Sequence, residues 1–236
     1  MNVVWKDETV AGGIFETINV EGNSVVNSSV EANELIVEKE SVLKIEGKLN
    51  VPYLKVYGEL VVEGTLETNE LVIGEDGYIA VQDEAVIGTI DNKGTLDLKR
   101  GIKVDDIQNK GSFIGMGPVK ATTFQSNGSL RLDEELNAEN VTIIVADVSN
   151  IRYIICDELT VKAEREKLIF KDKSSVLTVR EIDAVKASVE NVVCDLLRAD
   201  DVTIKENCSI KVVEYVNDYE YDEASDVLEF AKIKRD

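Results

Sequence analysis

The chain has no histidine among its 236 residues, and only two prolines, three cysteines and one tryptophan. Without imidazole, the commonest general base and the usual neutral-pH proton shuttle are missing. No apolar run approaches the roughly 18 residues that a membrane-spanning helix needs. Cys156, Cys194 and Cys208 are an odd set, spaced 38 and 14 residues apart, which matches no zinc or redox motif. They are expected to be small core-filling thiols in a reducing compartment. The opening MNVVWKDETV carries acids where a secretory leader has a basic start and a long apolar stretch. The expected location is therefore the cytoplasm, with the inner face of the membrane as the alternative. Basic residues are also scarce: 26 Lys and Arg stand against 46 Asp and Glu, a net charge of −20. Nucleic acid and anionic lipid are repelled by such a chain, so no nucleic acid partner is expected and membrane association should be weak or absent.

What the chain does have is a period. Apolar residues fall at Leu49, Leu54 and Leu60, then at Ala85, Ile90 and Leu96, Ile102, Ile107 and Phe113, and Val119, Phe124 and Leu130, at intervals of 5, 6 and 6. Three anchors per 17 residues mark a chain winding around an axis in three-sided turns. The units at Val30, Leu35, Leu43, Leu49 and at Leu66, Leu71, Ile79, Ala85 run 5, 8, 6 instead, with two residues added at one corner. Gly13, Ile18, Ser24 and Val30 extend the count towards the N-terminus, and Leu197, Val202, Ile210 and Val216 extend it towards the C-terminus. Between these stretches the units are looser: Leu136, Val141, Val148; Ile154, Leu159, Leu168; Leu177, Ile182, Val189.

A polar register accompanies the apolar one. Gly94, Gly111 and Gly128 follow an apolar anchor by four residues, and Gly58 and Gly22 take the same place. A column of glycine predicts one bend, with positive φ, stacked turn upon turn. Asn92, Asn109 and Ser126 should stack beside it, bonding to each other and to corner backbone. Segments between corners are short and β-branched (LKV, LVV, LVI, VTI), with Lys55, Asp97, Arg131, Thr142, Thr160 and Thr203 directed outward. Pro52 and Pro118 both lie near corners, and a short helix is expected only around 181–191.

The expected fold is all-β: a single right-handed parallel β-helix of about 11 coils. Left-handed hexapeptide helices keep strict six-residue sides, whereas one side here is five residues long and one corner accepts insertions. The organisation read from the sequence is an N-terminal tail or cap at 1–12, a β-helix over 13–216 (most regular at 30–135, looser at 136–196), and an acidic C-terminal tail or cap at 217–236. Residues 214–229 hold seven acids and no base, together with Tyr215, Tyr219 and Tyr221.

Catalysis finds little support in these residues. The carboxylate pairs Asp105/Asp106 and Asp200/Asp201 are adjacent in sequence, so within a strand their members would face opposite ways. At a corner both could face outward and hold Ca²⁺, but no companion Lys or Arg cluster marks a sugar-acid groove. The glycines recur at the coil period and do not precede a helix, which is not a phosphate-binding pattern. The chain is read as a non-enzyme with no cofactor and no metal. A carbohydrate-active β-helix remains a distant alternative, since the few aromatics lie mostly outside the regular coils.

IEGKLNVPYLKVYGELVVEGTLETNELVIGEDGYIAV (45–81), followed by VIGTIDNKGTLDL (86–98), resembles the bactofilins, bacterial cytoskeletal proteins with a right-handed β-helical core. The shared units place Gly47, Gly58, Gly64, Gly88 and Gly94 two residues before Leu49, Leu60, Leu66, Ile90 and Leu96. The resemblance is best over 30–132. It implies end-to-end self-assembly into nonpolar filaments without nucleotide, alone or with a paralogous subunit, and a scaffold role for envelope, cell-shape or motility proteins. A solenoid's last coil exposes unpaired backbone and apolar interior, so the expected joints are Ile18, Val20 and Val25 at one end and Ile210, Val212 and Val216 at the other. Two departures from the family stand out: the coil pattern fades after Leu136, and long disordered arms are lacking. MNVVW is similar to the membrane-touching tip of some bactofilins but also fits a cap on the first coil. A monomeric or dimeric acidic β-helical module that binds a protein partner is the alternative function.

Overall fold

The structure is a computed structural model that describes residues 1–146, 148–164 and 175–235. It is all-β, and its parallel strands wind into a β-solenoid of about 13 turns, two more than the sequence count. The chain divides into two compact units, Met1–Lys120 and Ala121–Asp236. Among the described residues, no helix is long and apolar enough to cross a membrane.

The 17-residue period of the first unit is the register of its ladders. Leu49, Leu66, Ala85 and Ile102 stack on one side. Leu54, Leu71, Ile90 and Ile107 stack on the second, and Leu60, Ile79, Leu96 and Phe113 on the third. All twelve are buried, with Phe113 among the largest side chains at 0 % exposure. Like sits on like because each strand's neighbour is the same strand one turn on, so one inward pattern fills every layer.

One corner carries no break in the strand, so strands expected at three to five residues run to eight: Leu66–Ile73, Ala85–Asn92 and Ile102–Asn109 each cover two sides. The added residues at 39–40 and 75–76 form turns at one corner, where Glu40 has a φ of 60°. The neighbouring glycine column has a different cause from the one expected. Of its members only Gly22 has a left-handed φ, at 139°. A Cβ on Gly94 would stand 2.1 Å from the Gly77 carbonyl oxygen, and one on Gly111 would stand 2.1 Å from that of Gly94. Backbone stacked directly on backbone excludes a side chain whatever the dihedral angle.

Asn92 and Asn109 stack turn on turn beside the glycine corner, and their amides point into the solenoid at 0 % and 1 % exposure. They continue the inward column of Trp5, Val20, Val37, Val56 and Ile73. Asn92 Nδ2 donates to Asn109 Oδ1 at 2.7 Å and to the Ser112 carbonyl at 2.9 Å. Asn109 Nδ2 in turn reaches the Gly111 carbonyl at 3.5 Å, so both amides donate to corner backbone, while Asn92 Oδ1 is buried without a partner among the described residues.

In the second unit the inward columns are Leu136–Ile154–Ile182–Leu197–Val213–Phe230 and Val141–Leu159–Ala187–Val202–Tyr219. Successive members of the first column are 18, 28, 15, 16 and 17 residues apart. No single period could have been read from such turns. Three expectations shift accordingly. Ser149, not the exposed Val148, takes the inward place, and Val213, not Val216, is the anchor beside Leu197. Leu168 lies outside the described residues. The stretch expected to be helical is the strand Leu177–Val189, whose Ile182, Ala184, Ala187 and Val189 face inward with an outward-facing corner between them. That spacing of inward residues across a corner imitates a helical period.

The segments read as a tail or cap at either end contain strands that cover the next turn. Asn2–Trp5 pairs with Thr17–Val20, and Asp226–Lys232 pairs with Ser209–Tyr215.

Candidate assembly surfaces at the terminal turns

Five of the six residues expected to form the joints lie beneath a further strand. Ile18 and Val20, both 0 % exposed, lie beneath Val3 and Trp5. Val25 faces outward and pairs with Thr9. Ile210 is buried beneath Val227, and Val212 pairs with Glu229. The upper pairing ends at Tyr215, just before Val216. The missing turn at each end comes from segments whose short apolar stretches, NVVW and DVLEFAK, fell outside the count.

At the N-terminal end, Asn2–Trp5, Thr9–Val10 and Gly13–Ile14 each pair, among the described residues, with one neighbouring strand only. Their other edges are open. Trp5 fills the core under this turn at 3 % exposure and meets Phe15 edge-on, with ring centroids 5.3 Å apart. Val4 and Ile14 point outward at 57 % and 78 % exposure. Charge on this turn nearly balances: Lys6 and the Met1 ammonium stand against Asp7, Glu8 and Glu16.

The C-terminal end is built differently. Inward positions that hold Ala199, Val202 and Ile204 one turn earlier hold Tyr215, Tyr219 and Tyr221. Phe230 stacks on Tyr219 with centroids 4.4 Å apart and meets the ring of Tyr221 at 5.6 Å, while Tyr215 lies 4.8 Å from Tyr219. Large rings thus partly close the core where the next turn's side chains would otherwise pack, with Tyr219 and Tyr221 left 38 % and 40 % exposed. After the last strand the chain leaves the ladder and Arg235 binds the outer wall. Its guanidinium donates to the Ala184 carbonyl at 2.8 Å, stands 3.1 Å from Asp200 and pairs with Asp183. Asp183 also pairs with Arg198 at 3.3 Å, and Arg198 with Glu214 at 2.7 Å, a ladder of alternating sign across three turns.

Arg235 also borders a cleft of about 460 Å³, lined in part by Asn137, Glu139, Cys156, Asp157 and Asp183. Burial pushes the Cys156 thiol up to about 12, with Asp157 adding to the effect, so at neutral pH the sulfur is a protonated thiol and a poor nucleophile. Cys194 is raised to about 12 by burial as well, and all three cysteines are buried and unpaired. Asp105 and Asp106 both face solvent at a corner, while Asp200 faces Arg235. No group of three or more Cys, Asp or Glu placed to hold a metal ion occurs among the described residues. No family model matches this chain, and no curated protein or solved structure matches it either.

Proposed function

We propose that the chain is a bactofilin-like, non-enzymatic scaffold whose copies join through the first solenoid turn without nucleotide. The observation that carries this reading is the open edge at Asn2–Trp5 and Gly13–Ile14, flanked by exposed Val4 and Ile14 on a turn whose charges nearly balance. Unpaired strand backbone beside apolar side chains is a template for another strand, and a second copy presents the same template. Cell-shape, envelope or motility proteins are the partners such a scaffold would serve. The C-terminal turn supports a joint less well, because its core is partly closed by aromatic rings and its rim is acidic. Two such rims repel each other.

Sedimentation of the purified chain over a range of concentrations, with negative-stain microscopy, tests the joint. Association is expected in the wild type and should be lost in a Val4→Asp, Ile14→Asp double variant, whose altered side chains are solvent-exposed and leave the core intact. A wild type that stays monomeric, or a double variant that associates equally well, would remove the first turn as the joint. The acidic C-terminal turn is the observation that favours the second reading, a module that binds a protein partner.

A further inference from the structure

The last turn is incomplete on one side. Asp226–Lys232 covers the strand Ser209–Tyr221 only as far as Tyr215, after which the chain departs towards Asp183 and Asp200. Asp218–Tyr221 pairs below with Asp201–Ile204 and has no strand above it among the described residues. A four-residue ledge results.

Its backbone polarity follows from the ladder. Asp222 N–H donates downward to the Ile204 carbonyl at 2.9 Å. In a parallel strand alternate residues bond to opposite neighbours, so the N–H groups of Tyr219 and Tyr221 face the open edge. Side chains stand in for the missing strand there. The Asp218 carboxylate accepts from Tyr219 N–H at 2.9 Å, and the Lys232 ammonium donates to the Asn217 carbonyl at 3.3 Å. That same ammonium lies 5.8 Å from the centre of the Tyr215 ring. One primary ammonium is thus already held beside the ledge, between a backbone carbonyl and an aromatic face.

We propose that this ledge is a docking edge for an extended cationic peptide segment of a protein partner, added as one more strand. Side chains alternate along the ledge: Asp218 and Glu220 face outward, while Tyr219 and Tyr221 face the core beside Phe230. The complementary segment alternates Lys or Arg with apolar residues. Its backbone carbonyl takes Tyr219 N–H from Asp218, and the released carboxylate meets a Lys or Arg of the incoming strand. Its apolar residues rest on the rims of Tyr221 and Phe230. Main-chain pairing supplies affinity and the alternating side chains supply selection. Seven acids between 214 and 229, with no base among them, steer such a segment to this end and repel a second copy's identical rim.

The test uses the full-length chain and a fluorescein-labelled hexapeptide of alternating Lys and Val, read by fluorescence anisotropy. Controls are the same peptide with Glu in place of Lys, and a version N-methylated at alternate amides. Saturable binding is expected for the Lys peptide, and none for the Glu peptide. A fall in affinity of about tenfold or more is expected on N-methylation and in an Asp218→Lys, Glu220→Lys variant. An Asp218→Asn, Glu220→Asn variant with an unchanged unfolding midpoint guards against misfolding and should show an intermediate loss. Failure of the Lys peptide to bind, equal binding of the methylated peptide, or undiminished binding to the Lys variant each overturns the proposal. So does a wild-type dimer that the Lys variant dissolves, because a second copy then occupies the ledge. Loss of the first-turn joint in the Val4→Asp, Ile14→Asp variant leaves this result untouched, which keeps the two readings separable.

Discussion

At the residue scale, the interior imposes two kinds of constraint that look alike in the sequence. Gly94 and Asn92 both recur at the coil period, yet one is fixed by space and the other by hydrogen bonding. Gly94→Ala places a methyl group 2.1 Å from the Gly77 carbonyl oxygen, with backbone and not a yielding side chain in the way. Urea unfolding is expected to show a loss of about 1–3 kcal/mol, the usual cost of overpacking; an unchanged midpoint would refute the stacked-backbone explanation. The buried cysteines make a second prediction. Burial raises the thiols of Cys156 and Cys194 from 9.0 to about 12. The folded chain therefore keeps protons that the unfolded chain releases above pH 9, so these thiols favour folding fully below that pH. Their contribution is lost progressively as pH rises from 9 towards 12. A Cys156→Ala, Cys194→Ala variant should show a shallower fall in stability across that window, measured by urea unfolding at a series of pH values. A fall as steep as in the wild type would contradict the assignment.

At the element scale, the strands read most clearly where every turn has the same length. Leu60, Ile79, Leu96 and Phe113 stack in one column, and the ladder reproduces the interval of 17 between the last three. In the second unit the corners vary, and local spacing misleads. The inward residues of Leu177–Val189 imitate a helical period only because two successive outward residues mark a bend. The C-terminal turn shows the complementary difficulty: Tyr215, Tyr219 and Tyr221 are legible as aromatics among acids, but nothing in that pattern fixes which way each ring faces or that Phe230 joins them. Their stacking assigns them to closing the core, which Phe230→Ala tests. Truncation of this half-buried ring should cost about 2–4 kcal/mol, somewhat below the value for a fully buried Phe. Proteolysis should then begin at the last strand before the rest of the unit; protection of that strand equal to the wild type would show that the ring does not hold the turn in place.

At the scale of the whole molecule, charge governs association. A chain of net charge −20 repels its own copies, and the first turn is the least charged of the two terminal turns. Added salt screens that repulsion over about a 10 Å Debye length at 0.1 M, so a joint made by strand edges and apolar contact should strengthen as salt rises. Peptide docking at the acidic ledge should weaken over the same range, because there the screened force is an attraction. Opposite salt responses at the two ends are measurable in one titration; parallel responses would show that a single kind of contact operates at both.

The sequence by itself determined the all-β class, the three-sided winding, the inward residues of the regular turns and the glycine corner. Each of these follows from local alternation repeated against an identical neighbour. Tertiary structure alone decided which turns are outermost, why the glycines are needed, that the amides point inward, and where an edge is left uncovered. The physical reason is that an edge is defined by the absence of a neighbouring strand. Absence leaves no periodic mark on the residues that border it, so Ile18 and Ile210 look terminal in a count of apolar anchors although Asn2–Trp5 and Asp226–Lys232 cover them.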